Sequence, residues 1–61
     1  MKISLKAARV NANLTQQEVA EKLGVSKHTV INWENGKVRP KKCMLILLSQ
    51  FYNIDIDYFN V

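Results

Sequence analysis

An all-α fold of four or five short helices is the class this sequence predicts, and three observations carry the prediction. Apolar residues recur at spacings of three and four, the period of a helix with one buried face. Ser or Thr precedes several of these runs, and Gly or Asn follows them, as helix starts and stops require. Segments that alternate as strands do are nearly absent. The exception is the partial alternation of NIDIDYF, residues 53–59, for which no partner strand is evident.

The first helix is expected from about Ser4 to Ala12, with Leu5, Ala8 and Ala12 on one face. Asn13 suits its end, because Asn tolerates a left-handed backbone. Thr15 then stands three residues before Glu18, the spacing of a capping box. Val19, Ala20 and Leu23 form the inner face of the second helix, and Gly24 supplies its C-terminal turn. Ser26 caps the third helix, Val30 and Trp33 point inward, and Gly36 ends it. Pro40 suits the first turn of a fourth helix running to about Tyr52, closed by Asn53. Asp55 begins a short terminal turn that folds Ile54, Ile56 and Phe59 back onto the core.

With 61 residues the chain is expected to form one domain. A domain of this size buries only about 60% of its unfolded surface, so most apolar residues must pack together. One cysteine forms no internal disulfide, and no cluster of His, Cys and carboxylates suggests a metal. No cofactor is expected, Cys43 is read as an inert thiol with no basic helper on its face of the helix, and a reducing cytoplasmic setting follows. The longest apolar run, Cys43 to Leu48, is far short of a membrane span. Enzymatic activity is not expected: one His, one Cys, no paired carboxylates in a plausible cleft and no glycine-rich phosphate loop are present.

The charge points to a partner. The formal net charge is +4, and residues 35–42 hold Lys37, Arg39, Lys41 and Lys42 with no acidic residue. A positive segment beside a short polar helix suits a polyanion, although small soluble domains often carry a few excess lysines. On a wheel of the third helix, Lys27, Ile31, Asn35, His28 and Asn32 share an outward arc of about 140°, opposite Val30 and Trp33. Two short helices joined through Gly24, Val25 and Ser26, over about residues 16–35, form a helix-turn-helix whose second helix suits the DNA major groove.

The outward arc carries groups that match base edges. Lys27 can donate to guanine, Asn32 can pair with adenine, and Ile31 can pack on a thymine methyl. The plainer alternative for Ile31 is a scattered surface apolar residue, and the polar groups on both sides of it favour the contact. His28 has two alternatives, a base or phosphate contact and simple solvation. Backbone N–H groups at the starts of the second and third helices can hold phosphate, aided by Gln16, Gln17, Ser26 and Thr29. Capping is the main role expected of Thr15 and Ser26.

These residues resemble the Cro-type and phage-repressor helix-turn-helix family, also called the XRE family. The resemblance runs from about Leu5 to Phe59. It rests on Leu14-Thr15-Gln16, on Ala20 and Gly24 at the elbow, and on Trp33-Glu34-Asn35-Gly36-Lys37. Arg39-Pro40 and Ile54-Asp55-Ile56-Asp57-Tyr58-Phe59 also fit. It implies a lambda-repressor-like DNA-binding domain acting as a sequence-specific transcriptional regulator, a small phage or mobile-element repressor on operator DNA. Lys27, His28 and Asn32 would reach bases, and Ser26, Asn35 and Lys37 would hold backbone, with Arg39 beside them. Gln16 would brace a phosphate and the start of the recognition helix. Arg9 would pair with Glu34, the alternative being two solvated charges.

The fourth helix is more apolar than a surface helix needs. Leu45, Leu48, Ser49 and Tyr52 form its core stripe, yet Met44, Leu47 and Phe51 lie outside it, and family members more often carry a polar residue at the position of Leu47. Met44, Leu47, Phe51 and Tyr58 are therefore expected to form a partner surface. The occupant would be a second copy, so that a homodimer reads half-sites about 34 Å apart, or a protein partner, as in an antitoxin. A widened core covering the tail is the plainer alternative, and contact with a domain outside this chain is a third.

Overall fold

The computed structural model describes residues 2–61. They form four α-helices, α1 (Leu5–Asn11), α2 (Gln16–Leu23), α3 (Lys27–Glu34) and α4 (Lys42–Tyr52), followed by one 3₁₀ turn, Ile56–Tyr58. The class is all-α, as the sequence predicts. No helix among the described residues is long and apolar enough to cross a membrane.

The same backbone device ends all four α-helices. Asn13, Gly24, Gly36 and Asn53 each take a positive φ, of 60°, 72°, 77° and 54°. The following N–H reaches back five residues in every case: Leu14 to the Arg9 carbonyl, Val25 to Ala20, Lys37 to Asn32 and Ile54 to Ser49, at 3.0–3.2 Å. These are Schellman closures, which satisfy carbonyls that the helix cannot. Chain reversal needs a left-handed residue there, and only Gly or Asn adopts one cheaply.

The helix starts are capped by side chains. Ser4 Oγ accepts the Ala7 N–H at 3.0 Å, and Ser26 Oγ accepts the Thr29 N–H at 3.2 Å. At α2 the box is complete: Thr15 Oγ1 accepts the Glu18 N–H at 3.0 Å, while the Thr15 N–H donates to Glu18 Oε1 at 2.9 Å. That backbone bond, with the Thr15 side chain, holds the Glu18 carboxyl below the usual carboxylate range. Pro40 departs from the expectation. It lies two residues before α4, buried, on a wall shared with Leu5 and Trp33. Packing of its ring places it there, and Lys41 begins α4 with no side-chain cap.

One core joins the helices. Leu5, Ala8, Val19, Ala20, Val30, Trp33, Leu45, Leu48, Tyr52 and Phe59 are buried, with Leu48, Val19 and Val30 at most 1% exposed. Tyr52 and Phe59 meet edge to face, centroids 6.3 Å apart. The tail does find a partner, contrary to the expectation. Ile3 pairs in parallel with Phe59, through Ile3 N–H to the Tyr58 carbonyl at 2.7 Å and Asn60 N–H to the Ile3 carbonyl at 2.8 Å. The partner is a single residue from the opposite end of the chain, which has no local pattern to announce it.

Candidate nucleic-acid interface

The α2–α3 unit is assembled from both ends. At the elbow, Gly24 turns the chain and Val25 sits half-buried against the core. At the far end lies a polar cluster. Arg9 Nε donates to Glu34 Oε2 at 2.7 Å and Arg9 Nη2 to Oε1 at 3.3 Å. Gln16 Nε2 also donates to Oε1, at 3.0 Å. The Arg9 and Glu34 side chains are only 11% and 5% exposed. Arg9 also holds Leu14 twice, through Nη1 to the Leu14 carbonyl at 2.9 Å and through its own carbonyl to the Leu14 N–H. One guanidinium thus fixes α1, the loop before α2 and the end of α3. The bidentate fork is what Arg offers and Lys does not.

This cluster revises one expectation. The resemblance implies that Gln16 braces a phosphate and the start of the recognition helix, whereas its bond within the chain goes to the end of α3. The acceptor there is a buried carboxylate, and an ionised acceptor draws a donor more strongly than a neutral one. Tyr52 borders the same cluster. Its phenol is pushed up to about 12, mainly by burial, then by the Glu34 charge, partly offset by Arg9.

The outward side of α3 is open. Lys27 and His28 are exposed, and Ile31 and Asn32 are half-buried outside the core. Among the described residues, no partner within the protein bonds the Lys27, His28 or Asn32 side chain. Asn35, Lys37 and Arg39 are exposed just beyond the end of α3. The helix-start side chains are engaged locally: Gln17 Nε2 donates to Glu21 Oε2 at 3.3 Å, and the Ser26 and Thr29 hydroxyls lie 3.0 Å apart. Capping is the role these contacts display.

Lys2 is a basic residue that the sequence did not single out. It joins Arg39 and Lys42 around an open groove of about 800 Å³ that also holds Asp57, and its Nζ donates to the Asp57 carbonyl at 2.8 Å. The pairing of Ile3 with Phe59 brings it there, and no local sequence signal could have found it.

The surplus apolar residues of α4 divide. Met44 and Phe51 are half-buried against the core, and Lys22 Nζ lies 5.5 Å from the Phe51 ring centroid. For these two the widened core is the structure observed. Ile46, Leu47 and Tyr58 remain exposed, at 43%, 37% and 57%.

A short, well-anchored helix with free polar ends on its outer face, beside a basic loop, defines a helix-turn-helix DNA-binding regulator. Comparison with known proteins places it further. Residues 5–59 match the helix-turn-helix model of the XRE type, and the chain belongs to that family. It is similar to an uncharacterized HTH-type transcriptional regulator of Methanocaldococcus jannaschii, with 40% identity over 57 residues, 93% of this chain and 86% of the relative. It is also similar to the transcriptional activator BcrR of Enterococcus faecalis, with 40% identity over 53 residues, covering 87% of this chain and 26% of the relative. A third is the cryptic phage CTXphi transcriptional repressor RstR of Vibrio cholerae, with 40% identity over 48 residues, 79% of this chain and 43% of the relative. The chain thus spans less than half of the latter two. No solved structure matches it at a significant level.

Proposed function

We propose that this chain is a sequence-specific repressor of the kind carried by phages and mobile elements, acting on operator DNA in the cytoplasm by occupancy and without catalysis. The supporting observation is the α3 face, where Lys27, His28 and Asn32 keep their donors and acceptors unspent while Val30 and Trp33 anchor the helix from behind. In the major groove Lys27, His28, Ile31 and Asn32 read base edges. The starts of α2 and α3, with Gln17, Ser26 and Thr29, face phosphates, and Asn35, Lys37 and Arg39 hold the backbone beyond α3. The name of the RstR relative supports repression, and a promoter overlapping the bound site separates that outcome from activation in a reporter assay.

Selection from random duplex DNA at two salt concentrations tests the proposal. A defined motif is expected, with affinity falling steeply as salt rises, because several phosphates are neutralised. Lys27→Ala relaxes base preference at one position, whereas Lys37→Ala weakens all sequences alike and lowers the salt slope by about one. Folded protein that ignores every duplex in dilute buffer sinks the proposal.

A second copy on the DNA is part of the reading. The longest extent of the molecule is 29 Å, short of the ~34 Å between half-sites, so one copy covers one half-site. The exposed Ile46 and Leu47 on α4 favour contact with a second copy or another protein. Sedimentation free and on DNA decides: a strict monomer in both states removes that contact.

A further inference from the structure

We infer that Lys2, with Arg39 and Lys42, forms a phosphate clamp that holds the DNA backbone beyond the stretch read by α3. This rests on the operator-binding reading above. Lys2 precedes residues 5–59, the part of the chain that matches the family, and its place is set by this chain's own tail. Ile3 N–H donates to the Tyr58 carbonyl at 2.7 Å, Asn60 N–H to the Ile3 carbonyl at 2.8 Å, and Lys2 Nζ to the Asp57 carbonyl at 2.8 Å. These bonds dock residues 2 and 3 on residues 57–60 and hold the Lys2 ammonium at the same groove as Arg39 and Lys42. An ammonium has three donors, so the bond to Asp57 leaves Lys2 free to donate again.

The groove selects an anion. Lys2, Arg39 and Lys42 are exposed, and none of them forms an ion pair among the described residues. Asp57 is the one carboxylate on the groove wall, so the cations outnumber it. Of the apolar lining, Pro40, Leu45 and Phe59 are buried, and only Ile56 and Val61 offer a peptide surface to cover. The accessible groups are mainly those that hold phosphate. A duplex is favoured over an acidic protein for a second reason. Arg39 belongs both to this groove and to the loop beyond α3, where Lys37 is also exposed, so the groove continues the surface proposed to face DNA. Because Lys2 is already docked, little of the ordering cost of a long side chain remains to be met on binding. Such a contact reads charge and not sequence, so its loss lowers every affinity alike.

Lys2→Gln removes the charge and Lys2→Arg keeps it, while Lys22→Gln removes a charge that lies over the Phe51 ring instead. Each is measured by affinity for the selected site and for a scrambled duplex over a range of salt, and by thermal unfolding. We expect Lys2→Gln to weaken both duplexes by the same factor, about three- to tenfold at about 0.1 M salt, and to lower the salt slope by about one. Lys2→Arg and Lys22→Gln should keep the wild-type slope. Asp57→Asn leaves the carbonyl that Lys2 uses and should tighten both duplexes about twofold, because it takes the carboxylate out of the groove. An unchanged slope in Lys2→Gln overturns the clamp, and a lower melting temperature alongside it makes Lys2 a clasp for the tail only. An equal fall in slope for Lys22→Gln also overturns it, since net charge then accounts for the effect. Amide shifts at Lys2 and Lys42 that follow an acidic peptide but not a duplex overturn it in favour of a protein partner. A wild type that ignores every duplex sinks the operator reading and the clamp together. A wild type that selects its site, with Lys2→Gln unaltered, sinks the clamp alone.

Discussion

One apolar core runs through the molecule, but its two ends differ in what is added to it. Around α1, α2 and the end of α3, directed polar bonds converge on one buried carboxylate from Arg9 and Gln16. Around α4 and the tail, apolar burial dominates, with Leu45, Leu48, Tyr52 and Phe59 packed together, helped by the backbone pairing of Ile3. Polar bonds are angle-dependent, whereas hydrophobic burial is non-directional. The half that must present α3 at a fixed attitude adds the directional force to its share of the apolar core, Val19, Ala20, Val30 and Trp33 among it. The half that only needs to stay compact uses the other.

The contrast is broken most severely at Glu34. Glu34→Ala strands Arg9 in the interior and is expected to cost about 3–5 kcal/mol. That is most of the stability such a small domain possesses, so denaturant unfolding should show a much reduced or absent transition. Replacing both partners, as in Arg9→Met with Glu34→Met, should restore most of that loss because no unpaired charge remains. If Glu34→Ala costs less than about 0.5 kcal/mol, the usual surface value, the cluster does not anchor the fold.

Leu48→Ala tests the apolar end. Leu48 is 1% exposed, and its truncation should cost about 2–5 kcal/mol through lost burial and a residual cavity. The same unfolding experiment serves, and the loss should be insensitive to salt.

Smaller effects come from the helix stops. A Cβ at Gly24 meets nothing within 4 Å, so only its φ of +72° resists substitution. Gly24→Ala should cost about 1–2 kcal/mol, and Gly24→Asn less. Asn53→Gly should raise the melting temperature, with a gain of about 0.5–1 kcal/mol, by relieving a φ of 54°. A loss there would show that the Asn53 side chain has a further role.

Tyr52 sits where the two ends meet, and its effect is confined to high pH. Its folded phenol ionises at about 12 and the unfolded one at its ordinary value of 10. The protonated form is thus the one the fold prefers. Its contribution is fully present below about pH 10 and is lost as pH rises from there through 12. The difference in stability between wild type and Tyr52→Phe should change over that interval and be constant below it. A constant difference up to pH 12 would place the phenol in an ordinary aqueous setting.

Local features of the sequence were sufficient for most of the fold. The four stops at Asn13, Gly24, Gly36 and Asn53, the box of Thr15 with Glu18 and the inward pair Val30 and Trp33 all depend on neighbours within a few residues. Helical period and backbone stereochemistry decide such features, and both are written locally. The outward arc of α3 was legible for the same reason, since a helix with two buried positions must present the rest. The resemblance to XRE-type regulators already named Arg9 with Glu34, which spacing alone left open.

Tertiary packing decided the remainder. It brought Ile3 to Phe59 and so Lys2 to Arg39. It gave Gln16 to the end of α3 rather than its start, moved Pro40 out of α4, and drew Met44 and Phe51 against the core while leaving Leu47 in water. Each of these outcomes depends on which distant groups compete for the same surface or the same carboxylate oxygen. A period along one helix says which way a side chain points, but only the packed chain says what it meets there.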